Sequence, residues 1–231
     1  MDSLDATPCD IRTAGYSVVP GVVSASTVRE ILSALASCDL VRTRAGARHV
    51  LGVFAVRELA RDPSLLAVAR EHLGRSAIPF RATLFNKSAD SNWLVPWHQD
   101  NALPVRQRRA VPGWGPWTLK GGMHHAIAPA AALTRVIALR VHLDDSTHRN
   151  GPLRVLPGTH TRGLLRREAI EELSATISPV ECLVDAGGVI AMRPLVVHSS
   201  SKARNGLPRR VLHIEYADSL ELDGGIALAV G

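Results

Sequence analysis

From residue 79 onward the chain breaks into short apolar runs: "FRATLFN", "WLVPWHQ", "RVIALRVHL", "LRVLP", "VECLVDA", "GVIAMRP", "LVVHS" and "RRVLHIEYA". Each is the length of a strand. Turn chemistry separates many of them, as at Asn150-Gly151-Pro152, Pro157-Gly158, Ala186-Gly187-Gly188 and Asn205-Gly206. A doubly wound parallel sheet needs a helix after nearly every strand. Strand following strand with few helices between them points instead to an all-β barrel or sandwich. The first 75 residues differ and predict two helices. Ser24 or Ser26 can cap "STVREILSALAS", in which Val28, Ile31, Leu32 and Leu35 share a face. "DPSLLAVAREHLG" has an Asp cap, Pro63 at its first position and Gly74 at its stop. "GARHVLGVFAV", between them, reads as loop or short strand. Segment 103–134, with several Pro and Gly, Trp114, Trp117 and His124-His125, reads as a long irregular loop and a candidate lid.

With 231 residues, 46% of them hydrophobic, the chain is expected to form a single domain over 1–231. Helical support is expected over about 1–75 and the β core over about 79–217. No apolar run is long enough to span a bilayer. The acidic start MDSLDATPCD lacks the basic and apolar regions of a secretory signal. Cys9, Cys38 and Cys182 are too few and too scattered for a disulfide framework or a zinc pattern, so a cytoplasmic setting is expected. The net charge of +6 includes the clusters Arg106, Arg108, Arg109 and Arg162, Arg166, Arg167. Aromatic residues are only 4%, and no nucleic-acid module is recognisable, so a nucleic-acid partner is not expected. The charge is better suited to an acidic small molecule.

Within "LVPWHQDNALPV", His98 and Asp100 are two positions apart and share one face of a strand. An imidazole and a carboxylate on one face can occupy adjacent positions on a metal ion. A second histidine would complete the two-His, one-carboxylate set that suits non-haem Fe(II) and leaves positions open. Of the ten histidines, His198 ends the hairpin-like "GVIAMRPLVVHSSS", at a strand mouth where a ligand is both scaffolded and accessible. Eleven residues on, Arg209 opens "RRVLHIEYA" and offers a rigid fork for the far carboxylate of a dicarboxylic keto acid. Ser200 can donate to the same anion, and Arg210 faces the other way, toward solvent.

In order and spacing, "NKSADSNWLVPWHQD", "LRVHLDDSTHRNGPLRVLPGTH", "GGVIAMRPLVVHSSS" and "LPRRVLHIEYA" resemble the phytanoyl-CoA dioxygenase-like Fe(II)/2-oxoglutarate oxygenases over residues 79–217. The resemblance implies a mainly β fold with flanking helices, a double-stranded β-helix or cupin-like jelly roll. It implies His98, Asp100 and His198 as iron ligands, Arg209 as the 2-oxoglutarate anchor and Ser200 as its helper. Asn86 matches a family position that contacts the cosubstrate, and Arg140 a strand position that points inward, where a buried arginine needs an anionic partner. Related halogenases lack the ligand carboxylate; Asp100 is present, which favours oxygen chemistry. The implied cofactors are Fe(II), 2-oxoglutarate and O2, and the implied reaction is hydroxylation of an unactivated C–H of a small acidic molecule, such as an amino acid or natural-product intermediate. Gln99, Asn101, Trp114, Trp117 and Arg193 are candidate substrate contacts; Gln99 shares with Trp97 a strand parity opposite to His98, which also suits packing. Desaturation, epoxidation or cyclisation could use the same ligands. A non-catalytic cupin-like binder would not need Asp100 or Arg209, and a zinc hydrolase would not need an arginine placed for a keto acid.

Overall fold

The computed structural model describes residues 10–43, 46–89, 91–204 and 206–231. Cys9 and the Asn205 half of the Asn205-Gly206 turn lie outside the described residues. In chain order the strands are β1 (Tyr16–Val19), β2 (Arg42–Thr43), β3 (Gly46–Arg48), β4 (Ile78–Lys87), β5 (Val95–His98), β6 (Ala102–Val105), β7 (Trp117–Lys120), β8 (Met123–Ile127), β9 (Val136–His142), β10 (Leu153–Leu156), β11 (Val180–Cys182), β12 (Val189–Met192), β13 (Val197–Ser200), β14 (Arg209–Ala217), β15 (Glu221–Leu222) and β16 (Ile226–Ala227). The helices are α1 (Ile11–Ala14), α2 (Ala25–Ser37), α3 (Phe54–Ala60), α4 (Pro63–Leu73), α5 (Ala130–Leu133) and α6 (Arg167–Thr176).

Among the described residues, a seven-stranded antiparallel sheet runs β1-β12-β9-β14-β4-β3-β2, and a four-stranded one runs β11-β10-β13-β5. Together they form the jelly roll. Strand alternation gives the larger sheet two distinct faces. Leu84, Leu139, Val141, Leu212 and Ile214 point outward and bury against α2, α3 and α4. The opposite face carries Ala138, Ile190 and Met192, which meet Leu153, Val155 and Val196 of the smaller-sheet side in a second core. The same inward face holds Arg140, His142, Arg209 and His213, all buried. One face of each strand therefore builds the fold, and the other brings polar groups into the roll.

The helix signals act as the sequence predicts. The Ser24 hydroxyl accepts from Thr27 N at 3.1 Å, and Asp62 caps α4 through Ser64 N at 2.8 Å. Two helices were not predicted in the N-terminal part. α1 is a single turn, and α3 forms from "FAVRELA" because Val56, Leu59 and Ala60 fall on one buried face. Burial there overrides the weak helix preference of a β-branched residue. Segment 103–134 is not an irregular loop: β6, β8 and β7 form their own three-stranded sheet, followed by α5. Its Pro and Gly residues punctuate short strands.

Gly151, in the turn before β10, has φ +69°, and a Cβ there would lie 2.3 Å from the Ser201 carbonyl oxygen and 3.2 Å from Lys87 Nζ. Both the backbone and the space require glycine. Gly151→Ala is expected to lower stability by about 1–3 kcal/mol in urea unfolding.

Candidate active site

β5 and β13 pair antiparallel with His98 opposite His198. The imidazoles stand on the same side of the sheet, ring centroids 4.2 Å apart. Just past β5, Asp100 is fixed by its backbone N–H, which donates to Pro194 O at 2.9 Å. Its carboxylate lies 3.6 Å from His98 Nε2 and 3.5 Å from His198 Nε2. One donor atom from each residue falls within 4.8 Å of the others, a set able to hold a metal ion. The tautomers follow from the backbone. His98 Nδ1 is 2.9 Å from Pro96 O, and His198 Nδ1 is 2.9 Å from Val196 O. A carbonyl can only accept, so each Nδ1 carries a hydrogen and each Nε2 is the ring nitrogen turned toward Asp100. Burial lowers the His198 pKa to about 4, keeping its ring neutral. Burial alone would raise the Asp100 pKa, but His198, His98 and His213 outweigh it and hold the carboxylate well below its ordinary range.

His98, Asp100 and His198 border a cavity of about 320 Å³ also lined by Lys87, Arg140 and Arg209. Arg209 Nε donates to Asn150 O and Nη2 to Ser200 Oγ, both at 3.2 Å, while its buried Nη1 has no hydrogen-bond partner among the described residues. Lys87 Nζ donates to Ser200 Oγ at 2.7 Å and to Ser201 O. Arg140 Nη1 donates to His213 Nδ1 at 3.1 Å and its guanidinium stacks on Phe85, yet its buried Nε has no hydrogen-bond partner among the described residues. Three cations thus face one cavity in which, among the described residues, Asp100 is the only lining carboxylate. Burial, with Arg140 adding to it, lowers Arg209 to about 9. Burial, then Arg209 and Arg140, lowers Lys87 to about 7. Such a cluster calls for an anion. Because arginine only donates, His213 Nδ1 must accept, and its Nε2–H is turned toward Asp100 Oδ2 and Glu215 Oε2, each 3.9 Å away.

Several sequence expectations change. Asn86 does not line this cavity: Ala82 and Leu84, which share its strand parity, pack in the helix-side core, while Phe85 and Lys87 face the cavity. Lys87, not Asn86, is the polar residue that β4 delivers. Ser200 has one proton, and it goes to Gly151 O at 2.9 Å; the oxygen accepts from Arg209 and Lys87, so Ser200 positions cations instead of donating to an anion. Arg210 is not simply solvated: it makes a bidentate pair with Asp144 at 2.6 and 2.8 Å. Gln99 lines a cavity beside Asp100 but has its amide engaged by the backbone, donating to Gly163 O and Leu195 O and accepting from Leu165 N. Trp114 is buried in the core beneath the three-stranded sheet, and Trp117 packs against it. Arg193 donates to Thr134 O and His72 O and borders a different cavity. Trp97 lies under the Arg154 guanidinium and borders a cavity beside α6. Asn101 does line a cavity beside Asp100. Lys87 and His213 were missed, although strand alternation from Phe85 and from Arg209 could have found both.

Solved structures similar to this chain share its fold. EctD from S. alaskensis in its apoform matches with a TM-score of 0.70 and 20% identity, over 100% of this chain and 85% of that one. HygX from Streptomyces hygroscopicus, with nickel and 2-oxoglutarate bound, matches with a TM-score of 0.66 and 18% identity, over 96% of this chain and 93% of that one. By sequence, the L-proline trans-4-hydroxylase of Streptomyces griseoviridis is 27% identical over 184 residues, 68% of this chain; the match spans 61% of that protein's length. The phytanoyl-CoA dioxygenase (PhyH) family profile matches residues 11–211, and the chain belongs to that family.

Proposed function

We propose that the protein is a non-haem Fe(II)- and 2-oxoglutarate-dependent oxygenase that hydroxylates a C–H bond of a small acidic molecule. The observation that carries this reading is the meeting of two sites in one cavity. Two imidazoles and a carboxylate converge, beside a buried arginine whose Nη1 has no hydrogen-bond partner among the described residues. The donor set of two nitrogens and one carboxylate fits Fe(II), and the surplus of positive charge fits a dicarboxylate. His98, Asp100 and His198 would hold the metal; Arg209 would hold the far carboxylate, with Lys87 and Arg140 supplying further positive charge. When Fe(II) and 2-oxoglutarate are bound, they supply O2 activation coupled to decarboxylation of the keto acid to succinate.

The chain's own contribution is placement. Gly151 O and Ser200 Oγ lock the two cation heads, Arg209 and Lys87, into fixed directions. Phe85 and Trp93 give the cavity apolar walls that limit water around the reacting groups. His213 steadies Asp100 from the side away from His98. The L-proline trans-4-hydroxylase relative supports hydroxylation of an amino acid or a similarly small molecule.

Anaerobic addition of Fe(II) and 2-oxoglutarate should produce a weak visible charge-transfer band that His98→Ala, Asp100→Ala and His198→Ala each remove; absence of the band in the wild type would overturn the oxygenase reading. Arg209→Ala should weaken 2-oxoglutarate binding by about a hundred-fold in calorimetry while leaving metal binding in place. Lys87 gives a pH signature. A bound dianion favours the charged ammonium, so binding takes up a proton once the free group has lost it. Affinity for 2-oxoglutarate should therefore be flat below about pH 7 and fall above it, and Lys87→Met should remove that slope.

A further inference from the structure

A second cavity, of about 240 Å³, lies on the other side of Asp100 and shares only Phe85 and Asp100 with the first. One wall comes from β3, β4 and β14 of the larger sheet; the other is the three-stranded sheet, which contributes Lys120 and His125. Its volume falls below the roughly 300–1,000 Å³ of drug-sized sites.

Charge in this cavity is not balanced. Arg81 is engaged by Glu215 in a bidentate pair and also donates to Ala102 O at 3.3 Å, so those two charges cancel at the cavity floor. Asp100 is turned toward the two imidazoles. That leaves Arg48 and Lys120, both exposed and neither in an ion pair among the described residues. The floor also offers Thr83 and Asn101, whose side chains make no hydrogen bond among the described residues. Beside Arg48, His49 holds φ +60°, the one non-glycine left-handed residue among those described. A non-glycine residue keeps that conformation only where its surroundings impose it, and such positions cluster at ligand sites. Burial, and then the charges of Arg81 and Lys120, lower the pKa of His125, as expected in a basic chamber.

We infer that this cavity receives the oxidisable substrate as a small carboxylate, with its anionic end at Arg48 and Lys120 and its carbon skeleton against Phe85, directed at Asp100. The inference rests on the oxygenase reading above. It separates two anion sites: the cosubstrate is recognised by Arg209, Arg140 and Lys87, and the substrate by a different pair of cations across the shared wall. The guanidinium of Arg48 can grip a carboxylate with two parallel hydrogen bonds, and Lys120 adds a point charge.

The test uses the full chain loaded with Ni(II) and 2-oxoglutarate, which binds ligands without turnover. The probes are the proteinogenic amino acids and short straight-chain monocarboxylates, each beside its own primary amide, read by thermal shift and then by calorimetric Kd. One or more acids should bind, their amides should bind at least about ten-fold more weakly, and Arg48→Gln with Lys120→Gln should weaken the acids by a similar factor. The same double variant should leave the Kd for 2-oxoglutarate unchanged. Both side chains are exposed, so the variant retains the core. Amides that bind as well as acids, a double variant that binds acids like the wild type, or a panel with no acid ligand would each overturn the inference. Failure of the wild type to bind 2-oxoglutarate would instead remove the oxygenase reading beneath it.

Discussion

The register of β5 against β13 is the constraint on which the site depends. It sets His98 opposite His198 and is reinforced from outside the ladder: Thr159 Oγ1 accepts from Val197 N at 2.9 Å, and Pro194 O accepts from Asp100 N. A slip of one residue would turn an imidazole to the other face of the sheet. The carbonyls of Pro96 and Val196 lie two residues before their histidines in each strand, so the same geometry that sets the register also fixes both tautomers. The direction of each ring and the hydrogen on its Nδ1 are therefore set by the backbone, in place before any ion arrives.

The second theme is positive charge held inside an apolar shell. Among the described residues, Arg209, Arg140 and Lys87 face one chamber without matching carboxylates, and Arg209 Nη1 and Arg140 Nε have no hydrogen-bond partner. Burying unmatched charge opposes folding. The helix-side core around Leu139, Leu212 and Tyr216, whose hydroxyl is tied to Ala60 O at 2.9 Å, offsets that burden from the opposite face of the same strands. The division of labour between the two faces allows the roll to keep an incomplete electrostatic interior. A dianion entering the chamber would stabilise the folded state through mass action as well as through contact.

The strand-rich half of the fold was legible from residue 79 onward because apolar runs and turn residues act locally, and so were the caps of α2 and α4. The metal-binding trio was legible because His98 and Asp100 obey strand alternation and His198 ends a hairpin-like pair of runs. α3 was hidden because its only signal, Val56 with Leu59 and Ala60, is meaningful once a core exists to receive it. The three-stranded sheet was hidden because Pro104 within one short strand and the prolines and glycines between the others mimic a loop. Asn86 was displaced by its neighbour because a resemblance aligns positions, whereas pleating decides sides, and on β4 the inward side belongs to Phe85 and Lys87. Arg193 looked like a ligand-facing group, yet it satisfies backbone carbonyls, which no local pattern announces; Gln99 lines the cavity beside Asp100 with its amide already engaged by the backbone.

β5 is the last strand of its sheet, so on one side its peptide groups have no ladder partner. Just beyond it, Gln99 ties the chain to residues 163, 195 and 165 through two carbonyls and one amide N–H. An open strand margin invites association with other chains. Here helix α6 packs against the strand that carries a metal ligand, and a helix cannot propagate a sheet.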